Sequence, residues 1–216
     1  MDQRKILIVQ RVITPYRLEL LKELCGHFKE VVIVTSRGEK TGALKRARAE
    51  NVSEENLKIK QLKSLRLSYT GESRSTSLFL YPQIVFLLPK YDILLLEGTT
   101  NLLNNLLIIP FGRILGKTII WWDAGYSPEK RTKKRKIIDF FVRPLVRMTD
   151  IQMAYSTKGD AYMRNHMGAR NSFTNLNTIN TTYFEQIKSE VNKSILNYKF
   201  EGGQIKLLYV GVIEKR

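Results

Sequence analysis

Short, wholly apolar runs alternate with longer amphipathic stretches along most of this chain. Lys5 to Gln10 (KILIVQ) and Val31 to Thr35 (VVIVT) have no polar face, the pattern of strands buried on both sides. Between them Pro15 stands where a first helical turn would start. Leu18, Leu21, Leu24, Cys25 and Phe28 follow at helical spacing, with Arg17, Lys22 and Glu23 on the other face. Leu57 to Leu62 (LKIKQL) alternates, as a more exposed strand does. Ser36 to Glu55 and Arg66 to Thr76 read as polar loops, the first carrying a short helix. Ser77 to Leu88 reads as a buried helix kinked or broken at Pro82.

The same beat continues downstream. Strands are expected at Tyr91 to Leu96, Lys117 to Trp122, Ile151 to Tyr155 and Ser172 to Leu176. Helices are expected at Asn101 to Leu115, bent or broken near Pro110, and over a basic stretch from Glu129 to Met148 that Pro144 interrupts. Another runs from Thr157 to Met167, and a last one from Thr182 to Val191. Gly116 and Gly168 sit where helix C-caps fall. Strands alternating with helices imply an α/β fold, a parallel sheet with helices on both faces. One domain is expected over residues 1–200. Residues 201–216 then read as a Gly202-Gly203 linker and a strand, Ile205 to Val210, that opens a second, truncated domain.

Composition narrows the partners. The 216 residues hold 36 Lys plus Arg against 20 acids, a formal charge of +16. That excess suits nucleic acid, an anionic membrane surface or a phosphorylated substrate. No nucleic-acid motif accompanies it, and the alternating beat is not that of an RNA-recognition or OB module, so nucleic acid is not expected. The dinucleotide glycine fingerprint and the hydrolase nucleophile elbow are absent. Cys25, the only cysteine, lies in the apolar pattern of the first helix and reads as core, while His27 and His166 have no ligand spacing. No metal is expected. The opening apolar run is too short for a signal peptide, and no stretch reaches the roughly 20 uncharged apolar residues of a spanning helix. The expectation is a cytoplasmic protein with room for peripheral contact at the inner membrane face.

Several segments, in order, resemble the retaining family-4 glycosyltransferases of GT-B architecture. Lys5 to Gln10 with the loop Arg11 to Arg17 matches the opening strand and loop. Asp92-Ile93-Leu94 matches an acid-led strand, and Gly116-Lys117-Thr118-Ile119-Ile120 a strand that leads into a polar loop. Thr149-Asp150-Ile151 with Ser156 and Gly168 matches a third segment. Asn177 to Phe184 (NTINTTYF) follows the family turn N-G-V-D-x-x-x-F, with Asn180 for its acid. Tyr209-Val210-Gly211-Val212-Ile213 matches the opening of the donor-binding domain. In two places the chain departs from the pattern. Val12 to Tyr16 replaces a glycine-rich loop, and Val212 replaces the Arg of the family's Gly-Arg pair.

The resemblance implies a Rossmann-like acceptor-side half of a GT-B fold, inactive by itself. The complete enzyme would move sugar from a nucleotide sugar to a lipid-linked or polysaccharide acceptor in envelope polysaccharide assembly. No cofactor is implied beyond the nucleotide-sugar co-substrate, met through Gly211 and a further half. Asp123, at the end of a predicted strand where open α/β sheets bind ligands, becomes the catalytic candidate, orienting a sugar hydroxyl. Gly125 would permit close approach, and Trp122 or Tyr126 would stack on a sugar face. Pro15, Tyr16 and Arg17 form a second loop on the same rim, Arg17 meeting an acceptor phosphate or simply facing water. Glu97 and Thr99 form a third, where Thr99, Thr100 or Asn101 can instead cap the following helix. The alternative from another class is a non-catalytic α/β module whose basic segment Lys130 to Lys136 binds a membrane or a partner protein. The apolar residues that follow, Ile137 to Val146, read as the helix's core face, with the charges either resting on anionic headgroups or simply facing water.

Overall fold

The computed structural model describes residues 2–10, 13, 17–36, 56–67, 78–98, 101–123 and 133–175. In chain order the elements begin with β1 (Asp2–Val9), α1 (Leu18–His27), β2 (Phe28–Ser36) and β3 (Leu57–Leu62). There follow β4 (Leu65–Leu67), β5 (Leu78–Leu80), β6 (Ile93–Glu97), α2 (Leu102–Ile114) and β7 (Thr118–Asp123). The described part closes with α3 (Lys133–Met148), β8 (Ile151–Ala154), α4 (Thr157–Tyr162) and β9 (Ser172–Thr174). Seven strands form one sheet in the order β3-β2-β1-β6-β7-β8-β9, and every pairing is parallel. The fold is α/β and Rossmann-like, as the alternation implies.

The continuous apolar runs are explained by two buried faces. In β1, Leu7 and Val9 join one core cluster while Ile6 and Ile8 join the other. Trp121 and Trp122 divide in the same way, one to each face. The Leu7 face is covered by α2, α3 and the end of α4, through Ile108, Ile109, Val142, Leu145, Val146 and Tyr162. The Ile8 face is covered by α1 through Leu21 and Cys25, which is buried core as its pattern suggested. Each such aliphatic side chain, fully buried, contributes roughly 1.5–3 kcal/mol.

Two acids fix the amino-terminal edge of the sheet. Asp92 Oδ2 accepts from the backbone of Lys5 at 2.8 Å, and Asp150 Oδ2 accepts from that of Ile119 at 2.8 Å. Asp150 also pairs with Arg113 at 2.6 Å. Gly116 (φ 65°) and Gly168 (φ 73°) adopt the left-handed conformation expected of helix ends.

Three helical expectations change. The stretch 78–90 is not a helix but β5, paired antiparallel with β4, followed by 3₁₀ turns at Pro82–Phe86 and Leu88–Lys90. The physical reason lies at Pro82, which leaves Tyr81 before it outside helical geometry (φ −127°, ψ 83°) and itself starts the first 3₁₀ turn. Conversely, α2 runs unbroken through Pro110 and α3 through Pro144. Each proline leaves the carbonyl four residues before it, on Leu106 and on Phe140, without its helical donor, and both of those residues are exposed. The segment 157–167 is helical as expected, but its second half is a π-turn, Met163–Met167. The helix at 182–191, the strand at 205–210 and the proposed second domain at 201–216 lie outside the described residues.

Candidate functional site

Strand order reverses beside β1, with β2 and β3 to one side and β6 onwards to the other. At such a switch point the connections leave in opposite directions and open a crevice at the strands' carboxyl ends. Four side chains from four connections converge on this rim. Arg17 enters α1 after β1, Glu97 ends β6, Trp122 lies near the end of β7 and Tyr155 follows β8. Sheet register explains the last three. Glu97 pairs across to Trp122, which pairs across to Met153, so their strands end at one level.

Arg17 is the hub. Its Nη1 lies 3.4 Å from Glu97 Oε1, and its Nη2 donates to Tyr155 Oη at 2.6 Å. The guanidinium carbon sits 4.8 Å from the Trp122 ring centre and 5.6 Å from that of Tyr155. The two rings meet edge-to-face at 5.6 Å. Arg17 is only 7% exposed, so it is not the solvated first-turn residue that its position on α1 allowed. Only a planar cation can satisfy a carboxylate, a phenol and two ring faces together; Lys offers a point charge in its place. Trp122 is 2% exposed, one ring face under the guanidinium and Tyr155 against it. Stacking of Trp122 on a sugar would therefore require Arg17 to move.

Asp123, half-buried at the end of β7, lies against Gly98 at the end of β6. The backbone N–H of Gly98 donates to Trp122 O at 2.8 Å, which holds the two strand ends together. A Cβ on Gly98 would fall 2.4 Å from Asp123 Oδ2, so the carboxylate occupies space that only glycine leaves open.

Below this rim lies a buried asparagine network. Asn105 Nδ2 donates to Glu97 O at 2.9 Å and to Gly98 O at 2.8 Å. Asn104 Oδ1 accepts from the backbone of Tyr81 at 2.9 Å, and its Nδ2 donates to Phe79 O at 2.9 Å. Asn101 occupies the N-cap position of α2 but makes no side-chain capping bond. Its Oδ1 instead accepts from Tyr81 Oη at 2.9 Å and from Asn104 Nδ2 at 3.1 Å. Capping by Asn101 is thus replaced by tertiary hydrogen bonding. Gln10, just past β1, is fully buried, and neither atom of its side-chain amide has a hydrogen-bond partner among the described residues.

The structure therefore brings together Arg17, Glu97, Trp122 and Asp123 from the sequence-derived candidates. Pro15, Tyr16, Thr99, Gly125, Tyr126 and Gly211 lie outside the described residues. Sequence reasoning passed over Tyr155, Gly98, Gln10 and Asn105. Tyr155 and Gln10 carried a usable signal, since both directly follow buried strands; Asn105 carried none. Among the described residues there is no cluster of three metal-ligating side chains.

No protein-family model and no curated protein matches the chain. Among solved structures, a sucrose-phosphate synthase chain from Thermosynechococcus elongatus superposes with a TM-score of 0.51 at 10% identity, covering 89% of this chain and 99% of that one. A putative 2-keto-3-deoxygluconate kinase from Enterococcus faecalis gives a TM-score of 0.46 at 13% identity, over 77% and 61% of the two chains. A PfkB protein from a Polaromonas species gives 0.39 at 11% identity, over 81% and 77%. The first of these likenesses establishes the architecture and nothing more specific: a Rossmann-like, GT-B-like α/β domain.

Proposed function

We propose that this chain is the acceptor-side domain of a glycosyltransferase that moves sugar from a nucleotide sugar to a membrane-associated, lipid-linked or polysaccharide acceptor. The observation that carries the reading is the convergence of Arg17, Glu97, Trp122, Asp123 and Tyr155 on the carboxyl rim at the switch point. Supporting it are the ordered sequence resemblance and the GT-B-like fold. In this reading Asp123 is the group that meets the acceptor, accepting a hydrogen bond from a sugar hydroxyl. Arg17 holds Glu97 and Tyr155 in place, and would meet an acceptor phosphate only by exchanging its contact with Glu97. Trp122 is a positioning residue, desolvating the guanidinium and fixing its plane. Donor contacts lie elsewhere, with Gly211 the one candidate on this chain.

The test is a titration of the protein with saccharides and with polyprenyl-phosphate sugars, followed by tryptophan fluorescence from Trp121 and Trp122. A saturable change is expected, weakened about tenfold or more by Asp123→Asn, because a hydrogen bond to a charged group contributes roughly 1.5–3 kcal/mol. No response to any acceptor, or a response indifferent to Asp123→Asn, removes the reading. The second reading, a non-catalytic membrane- or protein-binding module, is favoured by the exposed aromatic residues on α3. It expects surface binding without any saccharide response.

A further inference from the structure

Helix α3 has two apolar faces, and only one is used by the core. Val142, Leu145 and Val146 are buried against α2 and the π-turn. Ile137, Phe140 and Phe141 point the other way, at 63%, 74% and 50% exposure. Their spacing continues one helical turn on to the exposed Pro144. The two phenylalanine rings pack edge-to-face at 5.4 Å, which makes a single aromatic ridge. The apolar residues of this helix are thus both core face and surface face.

Cations flank the ridge. Lys136, Arg143 and Arg147 are exposed on the same side of α3 and, with Asn165 and His166 of the π-turn, line an open groove of about 830 Å³ beside the phenylalanines. Asp139 also lines this groove, buried and accepting from Tyr162 Oη, one acid against the three exposed cations. Arg147 lies across Gly168, where an added Cβ would come within 2.6 Å of its Nε, and this holds that cation beside the groove. The candidate site on the sheet rim shares no residue with this surface.

We infer that the outer face of α3 docks on an anionic lipid surface, with Ile137, Phe140 and Phe141 entering the headgroup boundary while Lys136, Arg143 and Arg147 meet the lipid phosphates. Charge decides the occupant. A second copy of a chain carrying +16 would set like charges against each other across the ridge. A convex aromatic ridge flanked by long cations matches a boundary that is apolar a few ångströms below an anionic layer. No helix of the described residues is long and apolar enough to cross a membrane. The inference deepens the proposal of a membrane-associated acceptor and rests on it for its purpose. Its physics is independent of sugar transfer.

The experiment is co-sedimentation of the protein with vesicles of phosphatidylcholine alone and of phosphatidylcholine mixed with phosphatidylglycerol, at low and high salt, with no sugar or nucleotide present. Retention is expected on the mixed vesicles only, and it should weaken as salt rises. Phe140→Ser with Phe141→Ser should lower the partition coefficient at least about tenfold while leaving the thermal midpoint unchanged, since both rings are already exposed. Lys136→Gln with Arg143→Gln should lower it about 25-fold, at about fivefold for each basic residue near the surface. Lys29→Gln, on the exposed part of β2, should change it less than twofold. Equal retention on neutral vesicles, or no retention at all, overturns the inference. So does a dimer in light scattering that the phenylalanine substitutions abolish, because it would give the ridge to a second copy. Because saccharide binding is read separately by tryptophan fluorescence, failure here and failure of the sugar-transfer proposal are distinguishable.

Discussion

Replacing Gly98 by Ala tests the geometry on which the candidate site depends. The new methyl would lie 2.4 Å from Asp123 Oδ2, 2.7 Å from its Cγ and 2.8 Å from its Cβ. Rotating the carboxylate relieves the first two contacts but not the third, because Cβ moves only with the backbone of β7. That backbone is tied to Gly98 itself by the 2.8 Å bond to Trp122 O. The strand ends must therefore part, an overpacking cost of about 1–3 kcal/mol. Against it stands about 0.4–1 kcal/mol from the stiffer unfolded chain. The midpoints of the two ranges leave a net destabilisation of about 1.3 kcal/mol, which at this chain length lowers the thermal midpoint by roughly 3–5 °C. The assay is thermal and urea unfolding by circular dichroism, run as a double-mutant cycle with Asp123→Gly, which deletes all three clashing atoms. Coupling of about 1–3 kcal/mol is expected in that pair, and much less with Asp123→Asn, which keeps them. If Gly98→Ala is as stable as the parent, or the cycle shows no coupling, the carboxylate does not rest on Gly98 and its role on the rim falls with it.

Other substitutions probe the supports of the rim. Asn105→Leu should cost about 1–2 kcal/mol in urea unfolding, because it strips a donor from Glu97 O and one of two from Gly98 O, which still accepts from the Asn101 N–H at 3.1 Å; a variant as stable as the parent would show that the Glu97 carbonyl does not depend on Asn105. Gln10→Leu should stabilise the fold by roughly 1–2 kcal/mol, since it removes a buried amide with no partner among the described residues, yet weaken saccharide binding if a ligand claims that amide; destabilisation would contradict the first half. Glu30→Gln tests linkage. The Lys58 ammonium, 2.8 Å away, and then Lys5 hold the Glu30 carboxyl below its ordinary range. Its contribution is therefore complete above the unfolded value of about 4.3 and fades as pH falls through the lower folded value. The variant should be about 0.5–1 kcal/mol less stable at neutral pH, with the gap closing in acid; a gap that widens below pH of about 4 would refute the sign.

The strands were the most legible part of the fold. A loop cannot mimic a run buried at every position, and the runs at Ile6 to Val9, Val31 to Val34 and Ile93 to Leu96 are strands because each feeds two cores. Proline was the least reliable guide. Pro82 and Pro89 stand in the first turns of short 3₁₀ segments, whereas Pro110 and Pro144 lie inside α2 and α3, and which of these a proline does is a property of the tertiary fold. The rim was legible in outline, since any residue directly after a buried parallel strand is a candidate. What local sequence cannot encode is that Arg17 and Tyr155, 138 positions apart, share one hydrogen bond. Nor does it reveal that Asn101 turns from capping α2 to bonding Tyr81.

The two ends of the sheet carry different kinds of information. Asp92 and Asp150, two of the residues on which the family resemblance was drawn, stand at the amino-terminal edge and hold neighbouring strands in register through the backbone N–H groups of Lys5 and Ile119. That is a folding task, and any parallel sheet of this order can use an acid there. Arg17, Glu97, Trp122 and Tyr155 stand at the opposite edge as side chains whose partners are one another, with Asp123 beside them against Gly98. A match at the first edge speaks for architecture, which the structural likeness supports independently. The chemistry must be argued from the second edge. There a guanidinium held between a carboxylate, a phenol and an indole is fixed before any ligand arrives, so ordering it costs the ligand nothing at the moment of binding.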